Sequence, residues 1–418
     1  MTGALSLTVL LASTPASPTS PLSEAQAVEL ALQNSPQVRA HGHSVAEAQA
    51  RTEVGLAWNN PLLRISGLRY DQLVDPLVDR RTYGEHPFYH ASIALRWSPP
   101  GLGERSARRA EGQSNEAEAR MQLAITRRDT AALVRKLHAR ILSYDAQLAL
   151  VEDVIEQRQK LRDLVRSRLE LHAATLLDQS LTDVDYLDAR TQHAEVEGKR
   201  RAAYDELLIQ LGLPPGTNIA LAPSSTTCKA PEAAAKLATR AHQANPRLVW
   251  LRAEIDEVNV KRGRRWMDLV PWFDYLQVGY GLAGDNAPSY VAFQLQLVLP
   301  IFDWKRPHRR VLGAREQGLQ EQVHAEDRAL SDLVLRTAAR QSEQAALVER
   351  YRDAADLVET GVANLRKALE LQGPTNLFEI VQLQARLLSL QRSYLRADLE
   401  CKLQQIELDR ITSTGLEP

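Results

Sequence analysis

Two nine-residue stretches decide the fold: residues 89–97 read YHASIALRW, and residues 291–299 read VAFQLQLVL. Apolar side chains alternate with polar or small ones in both, which predicts β-strands with one apolar and one polar face. Nine residues are enough for a tilted strand to cross a bilayer. The apolar face holds Ile93, Leu95, Phe293, Leu295 and Leu297, which would face lipid if the strands belong to a membrane barrel, and Ser92, Arg96, Gln294 and Gln296 would then face its lumen.

The chain is internally duplicated. Pro246 repeats Pro36 and Pro271 repeats Pro61, each 210 positions later, and the Arg108-Arg109 pair recurs further along the chain. A search for repeats therefore predicts two copies of one architecture. The predicted boundaries are a leader segment 1–21, a first repeat 22–212, a Pro- and Ser-rich linker 213–231, a second repeat 232–412 and a tail 413–418.

Each repeat is predicted to contain a helix, a β-hairpin, a very long helix and a returning helix. The first helix would run over residues 23–58, with a counterpart over 231–267, and the hairpins over 61–98 and 271–300. Residues 104–171 contain no proline, and their apolar residues step by four and three. A mean period of 3.5 residues predicts a left-handed coiled-coil seam.

Composition and charge exclude several classes of function. The chain has 51 Lys and Arg against 52 Asp and Glu, which argues against a nucleic-acid-binding protein. Two cysteines exclude a disulfide scaffold or a Cys-rich zinc module. Whether Cys228 and Cys401 pair is left open. We find no phosphate-binding loop, nucleophile elbow, zinc motif or catalytic triad, so we predict no enzymatic activity, no cofactor and no metal site.

The N-terminal residues favour export. Residues 4–12 are apolar and precede a run rich in Ser, Thr, Pro and Ala. This order is typical of a secretory signal peptide, although no Lys or Arg occurs before Arg39. The alternative interpretation is an apolar tail without a targeting role.

Tryptophans gather where predicted helices meet predicted strands. Amphipathic rings concentrate at membrane–water interfaces, although aromatic residues also fill sheet–helix junctions in soluble proteins. The predicted interface aromatics are Trp58, Trp97, Trp266, Trp272 and Trp304. Four strands cannot close a barrel, and an open sheet edge is not tolerated in lipid, so several chains must share one barrel. Two chains would give eight strands and three would give twelve.

The chain resembles the TolC-like outer membrane efflux protein family from Leu22 to Thr412. The resemblance rests on the segment Leu22-Ser23-Glu24-Ala25 with Pro36, on the paired hairpins and on two turn motifs. The stretch from Pro99 to Arg109 is similar to the Gly-Gly-Lys-Arg region of the heavy-metal efflux branch, with Leu102 and Glu104 interrupting that pattern. The resemblance implies a mainly α homotrimer with a twelve-strand β-barrel in the outer membrane of a Gram-negative bacterium and a periplasmic α-barrel. Because no cysteine precedes Cys228, we expect no lipid anchor.

The resemblance also assigns roles to the two turns. They would form the periplasmic tip where an adaptor (membrane fusion) protein docks, with Glu379 and Gln382 at the gate of the closed tip. An inner-membrane transporter of RND or ABC type would be the further partner. The predicted docking residues are Leu171, Ala173, Ala174, Thr175, Leu177, Leu371, Gly373, Pro374, Thr375 and Leu377.

The resulting hypothesis is a passive exit duct of a tripartite efflux pump, embedded in outer-membrane lipid. Such a duct takes its substrate range from the pump, so the exported substrate is not encoded in this chain. Two alternatives stay open. One is a soluble periplasmic or cytoplasmic coiled-coil scaffold without channel activity, and the other is a receptor-like protein of the same fold with a vestigial channel.

Overall fold

The computed structural model describes residues 21–70, 88–172, 174–223, 228–264, 272–283, 289–299, 306–372 and 377–412. This part of the chain is mainly α-helical with one four-stranded antiparallel sheet, so the predicted fold class is confirmed. The first half contains α1 (Glu24–Asn34), α2 (Pro36–Leu56), β1 (Leu62–Tyr70), β2 (Phe88–Trp97), α3 (Glu104–Glu170) and α4 (Leu176–Leu211). The second half contains α5 (Ala234–Ala244), α6 (Pro246–Gly263), β3 (Trp272–Ala283), β4 (Tyr290–Val298), α7 (Arg306–Gln372) and α8 (Leu377–Thr412).

The duplication extends to element lengths. Helices α3 and α7 each have 67 residues, α4 and α8 each have 36, and α1 and α5 each have 11. The long helices therefore match residue for residue, and the two halves follow one plan.

The first helix of each repeat differs from the prediction. The single helix expected over residues 23–58 is two helices, separated at Ser35, and the break recurs at Asn245 in the second half. Pro36 and Pro246 each occupy the first position of the following helix, where a missing N–H costs nothing. The residue before a proline is pushed out of the helical region, so α1 and α5 end there.

The chain divides into two compact units. One comprises residues 1–40, 124–245 and 328–418, and the other comprises residues 41–123 and 246–327. Each unit contains parts of both repeats, so contacts between the repeats form within each unit.

The first unit has a core in which α1, α3 and α4 pack closely. Leu137 and Ile141 of α3 and Leu207 and Leu211 of α4 are almost completely buried. The linker adds to this core, because Leu22 forms a parallel bridge with Leu221. These contacts hold the start of the chain and the linker together on the same helices.

A disulfide bond joins the linker to the last helix. Cys228 and Cys401 are bonded, with their Cα atoms 5.7 Å apart, which answers the question that the sequence left open. Cys401 is buried among Val348 and Ala397. The Gln341 side chain also donates a hydrogen bond to the carbonyl of Lys229 over 3.0 Å. The linker is thus attached to α7 and α8 at neighbouring positions.

An ion-pair network ties α3 to α8 in the same unit. Lys136 pairs with Glu407 at 2.6 Å, and Arg410 contacts both Glu407 and Asp129. Burial of the Glu407 carboxyl would raise its pKa, but Arg410 and Lys136 together hold that pKa below its ordinary value. The two helices are therefore joined by charge as well as by apolar packing.

The second unit contains the sheet, in the strand order β1-β2-β3-β4 with antiparallel pairing throughout. The pairing of β2 with β3 joins the hairpin of one repeat to that of the other. In the same unit, Leu251 and Val258 of α6 pack against Leu312 and Leu319 of α7. The two predicted hairpins are thus one continuous sheet.

Candidate functional site: a two-faced sheet and two helix turns

The strand register gathers the apolar positions of all four strands on one face of the sheet. Leu63, Leu95, Val278 and Phe293 are aligned across the strands, and the next row continues the pattern. Phe293 is 66% exposed and Leu295 is 46% exposed in the single chain. The other predicted apolar positions Ile93, Leu95 and Leu297 share this face and are also exposed. A contiguous exposed apolar face of this kind marks a surface that contacts a membrane or a protein partner.

The opposite face is polar. Arg96 is aligned with Gln277, which is aligned in turn with Gln294. On the neighbouring strand pair the Ser66 and Ser92 hydroxyls share a hydrogen bond of 2.7 Å. The structure therefore brings the four predicted polar positions Ser92, Arg96, Gln294 and Gln296 to one face.

Sequence reasoning missed further polar side chains on this face, among them Arg64, Ser66 and Gln277. Arg64 is opposite Ala94, and Gln277 lies between Arg96 and Gln294. The sequence could have identified Arg64, because apolar Leu63 and Ile65 alternate with it in β1. Only β2 and β4 were assigned faces, since their alternation is more regular.

None of the helices in the described part of the chain combines the length and the apolar character that a membrane span requires.

Aromatic rings and arginines cluster where α2 ends and the sheet begins. The Trp58 and Trp97 ring centroids are 5.9 Å apart, and the Arg105 guanidinium lies 4.9 Å from the Trp58 ring centroid. The Trp97 indole donates a hydrogen bond to the carbonyl of Asn59. Trp272 begins β3, but its side chain is outside the described residues, as are Trp266 and Trp304 entirely.

The Pro99 to Arg109 segment caps two helix ends. Arg105 and Arg108 donate to the carbonyls of Leu56 and Gly55 at the end of α2, where cations are favoured. Burial of Glu104 would raise its pKa, but the Gly101 N–H and Arg108 hold that pKa below its ordinary value. This segment therefore fixes α3 to the end of α2.

The turn between α3 and α4 is short and apolar on its outside. His172 adopts a positive φ of 57°, and the Thr175 side chain caps α4 by accepting from the Asp178 N–H. Leu171 is 77% exposed and Leu177 is 67% exposed. Ala174 lies in the described part of this turn, and Ala173 does not.

The second turn is described only at its two helix ends. Leu371 belongs to the end of α7 and Leu377 starts α8, while Gly373, Pro374 and Thr375 are outside the described residues. The side chains of Leu371, Leu377, Glu379 and Gln382 are also outside them. Their predicted roles at the tip therefore stay predictions.

Comparison with known proteins gives a family match over part of the chain and a fold over nearly all of it. Residues 27–213 match the family model described as "Outer membrane efflux protein". No curated protein sequence matches the chain.

Solved structures match over nearly the whole chain. A membrane protein from Pseudomonas aeruginosa is 18% identical with a TM-score of 0.73, over 96% of this chain and 98% of its own. The outer membrane protein VceC from Vibrio cholerae is 14% identical with a TM-score of 0.73, over 94% and 97%. The MtrE outer membrane channel of Neisseria gonorrhoeae is 14% identical with a TM-score of 0.65, over 94% and 89%. At these identities the likeness shows the fold.

The chain is similar to outer membrane efflux channels, by family match over residues 27–213 and by fold over nearly its whole length. The resemblance to TolC-like outer membrane efflux proteins that was inferred from the sequence is confirmed, because the family model matches residues 27–213 and solved outer membrane channels share the fold. The family consists of transport proteins.

Proposed function

We propose that three copies of the chain form the exit duct of a tripartite efflux pump, with a shared twelve-strand barrel in the outer membrane. The observation that carries this proposal is the sheet with two open edges. In the described strands, β1 pairs only with β2 and β4 only with β3. Lipid offers no hydrogen-bond partners to such edges, so β1 of one copy is expected to pair with β4 of the next.

The two faces of the sheet fit this arrangement. Apolar residues such as Ile93 and Phe293 would face lipid, and polar residues such as Arg96 and Gln294 would line the water-filled lumen. Membrane barrels alternate apolar and polar residues along each strand in this way. A soluble scaffold would instead leave the apolar face against water.

The turns would serve as the periplasmic tip. Exposed Leu171 and Leu177 offer apolar surface to an adaptor (membrane fusion) protein, which would open the tip. Three copies of Glu379 around the axis would repel one another in the closed tip and bind cations, with Gln382 one helical turn further on. An inner-membrane transporter of RND or ABC type would deliver the substrate.

The test uses cysteines at the open edges. A chain with single cysteines on β1 and β4, at Ile65 and Val291, is treated with a bifunctional maleimide in outer membranes. A closed ring of three gives crosslinked dimers and trimers and stops at the trimer. The matched control places the cysteines at Leu95 and Val278, which face each other within one chain and should give no crosslinked oligomer. Monomers alone from the edge pair, or a ladder beyond three, would refute the trimeric barrel.

A further inference from the structure

We propose that Arg64 and Arg96 set the ion preference of the channel and make its barrel favour small anions. This inference rests on the proposed barrel, because only there do the polar faces of several sheets surround one lumen. It adds to the proposed exit duct the two side chains that discriminate between anions and cations, and it names small anions as the solutes that they favour.

The two arginines are neighbours on one face of the sheet. Arg64 of β1 is paired with Ala94 of β2, and Arg96 is two residues further along β2. Such diagonal neighbours lie roughly 7–8 Å apart. Both are close to the end of the sheet at which β1 begins and β2 ends, so the two charges concentrate at one level of the barrel.

Arg96 is held in place by an aromatic ring. Its guanidinium carbon lies 3.4 Å from the centroid of the Tyr275 ring. Tyr275 belongs to β3, on the side of β2 opposite to Arg64, so the stacking directs the Arg96 charge away from that of Arg64. A guanidinium carries a delocalised positive charge, and stacking on an aromatic ring suits its planar shape.

The rest of this face does not neutralise the two charges. Its other polar groups include the amides and hydroxyls of residues such as Gln277, Gln294 and Ser92. Within the four described strands the one carboxylate is Asp274, the extra residue at the irregularity between Phe273 and Tyr275. Among the described ion pairs, none includes Arg64 or Arg96. The face therefore carries a net positive charge.

A trimer would place six guanidinium groups around one level of the lumen. Clefts lined by one sign of charge and walled by low-dielectric material concentrate counter-ions. The effect should weaken with salt, because the screening length falls from about 10 Å at 0.1 M to about 3 Å at 1 M. The expected preference is for chloride, phosphate and small carboxylates over the matching cations.

The test measures the reversal potential of single channels in a potassium chloride gradient centred on 0.1 M. The variant Arg64→Gln/Arg96→Gln removes both charges, and Arg64→Lys/Arg96→Lys keeps them. Wild type should prefer chloride, the glutamine variant should lose at least about half of the chloride-to-potassium permeability ratio, and the lysine variant should keep most of it. The preference of the wild type should also shrink at 1 M salt.

The results distinguish a failure of the ion-preference inference from a failure of the proposed duct. If the glutamine variant has the same permeability ratio as wild type, or the lysine variant loses as much as the glutamine one, charge at these positions does not select ions and the inference is wrong. If the wild-type protein forms no channel at all, the proposed duct itself fails. Should Arg96→Gln not reach the membrane, Arg64→Gln alone provides the same comparison, because the Tyr275 stacking is then intact.

Discussion

Substituting arginine along β4 should separate the lipid face from the lumen face. Leu295 is 46% exposed on the apolar face near the middle of β4, and its neighbour Gln294 is on the polar face. Arginine on the lipid face costs about 2–4 kcal/mol near the bilayer midplane and about 0–1 kcal/mol near the interfaces. Leu295→Arg should therefore be strongly destabilising, whereas Gln294→Arg should be close to neutral.

The magnitude also depends on depth. Leu299 follows the last residue of β4 and is 56% exposed, so Leu299→Arg can extend its charge into the interface. Since 1.4 kcal/mol is a factor of ten, Leu295→Arg should shift the insertion equilibrium by roughly 30- to 700-fold per chain. In a trimer this penalty is applied three times. The expected order of damage is Leu295→Arg, then Leu299→Arg, then Gln294→Arg.

The assay combines outer-membrane fractionation with urea unfolding of the protein reconstituted in vesicles. Leu295→Arg should be depleted from the membrane fraction and unfold at lower urea, and Gln294→Arg should match wild type in both. The reasoning is refuted if Gln294→Arg is the more damaging of the two, which would reverse the faces. It is also refuted if all three variants behave alike, because then neither face contacts lipid.

Three further outcomes are expected. Replacing the linked cysteines with Cys228→Ala/Cys401→Ala opens a loop with a sequence separation of 173 and should lower the free energy of unfolding by about 2–5 kcal/mol. Dithiothreitol should reproduce this urea-unfolding shift in wild type and leave the variant unchanged. Glu407, whose pKa is held below its ordinary value by Arg410 and Lys136, adds stability above pH 4.5 that is lost as the pH falls through its folded-state pKa. Glu407→Gln should therefore flatten the acid side of the stability profile, while Glu47→Gln at an exposed ion pair should not. At the tip, Glu379→Ala should raise single-channel conductance, and Ala174→Glu should abolish efflux while trimers still form; a change in neither would leave both residues outside the gate and the docking surface.

Local sequence patterns were enough for most of the elements. The alternation in β2 and β4 and the heptad-like spacing in α3 reflect which side chains are buried or exposed along a single element, and such periods can be read from the chain. The break between α1 and α2 was missed because a proline at the first position of a helix removes no hydrogen bond within the helix. The spacing of apolar residues therefore gave no sign that one helix ends and another begins there. Arg64 was missed because Gly67 interrupts the alternation of β1.

Long-range pairings could not be read in this way. The alignment of Arg96 with Gln277 depends on the register between strands of different repeats. The contact between Cys228 and Cys401 depends on the packing of the linker against α8. Both are properties of tertiary structure, since residues far apart in sequence meet only when whole elements are placed. The sequence could therefore predict which residues of β2 and β4 are polar positions, but it could not predict which residues of the adjacent strands lie beside them.

Single-channel conductance in a planar bilayer tests the central claim most directly. Detergent-extracted protein is added to the bilayer, and its oligomer mass is measured in parallel. We predict a trimer of 46.7 kDa chains, less any residues removed on export, that conducts ions in discrete steps. A water-soluble monomer or dimer that leaves the bilayer silent would contradict the account and favour a coiled-coil scaffold.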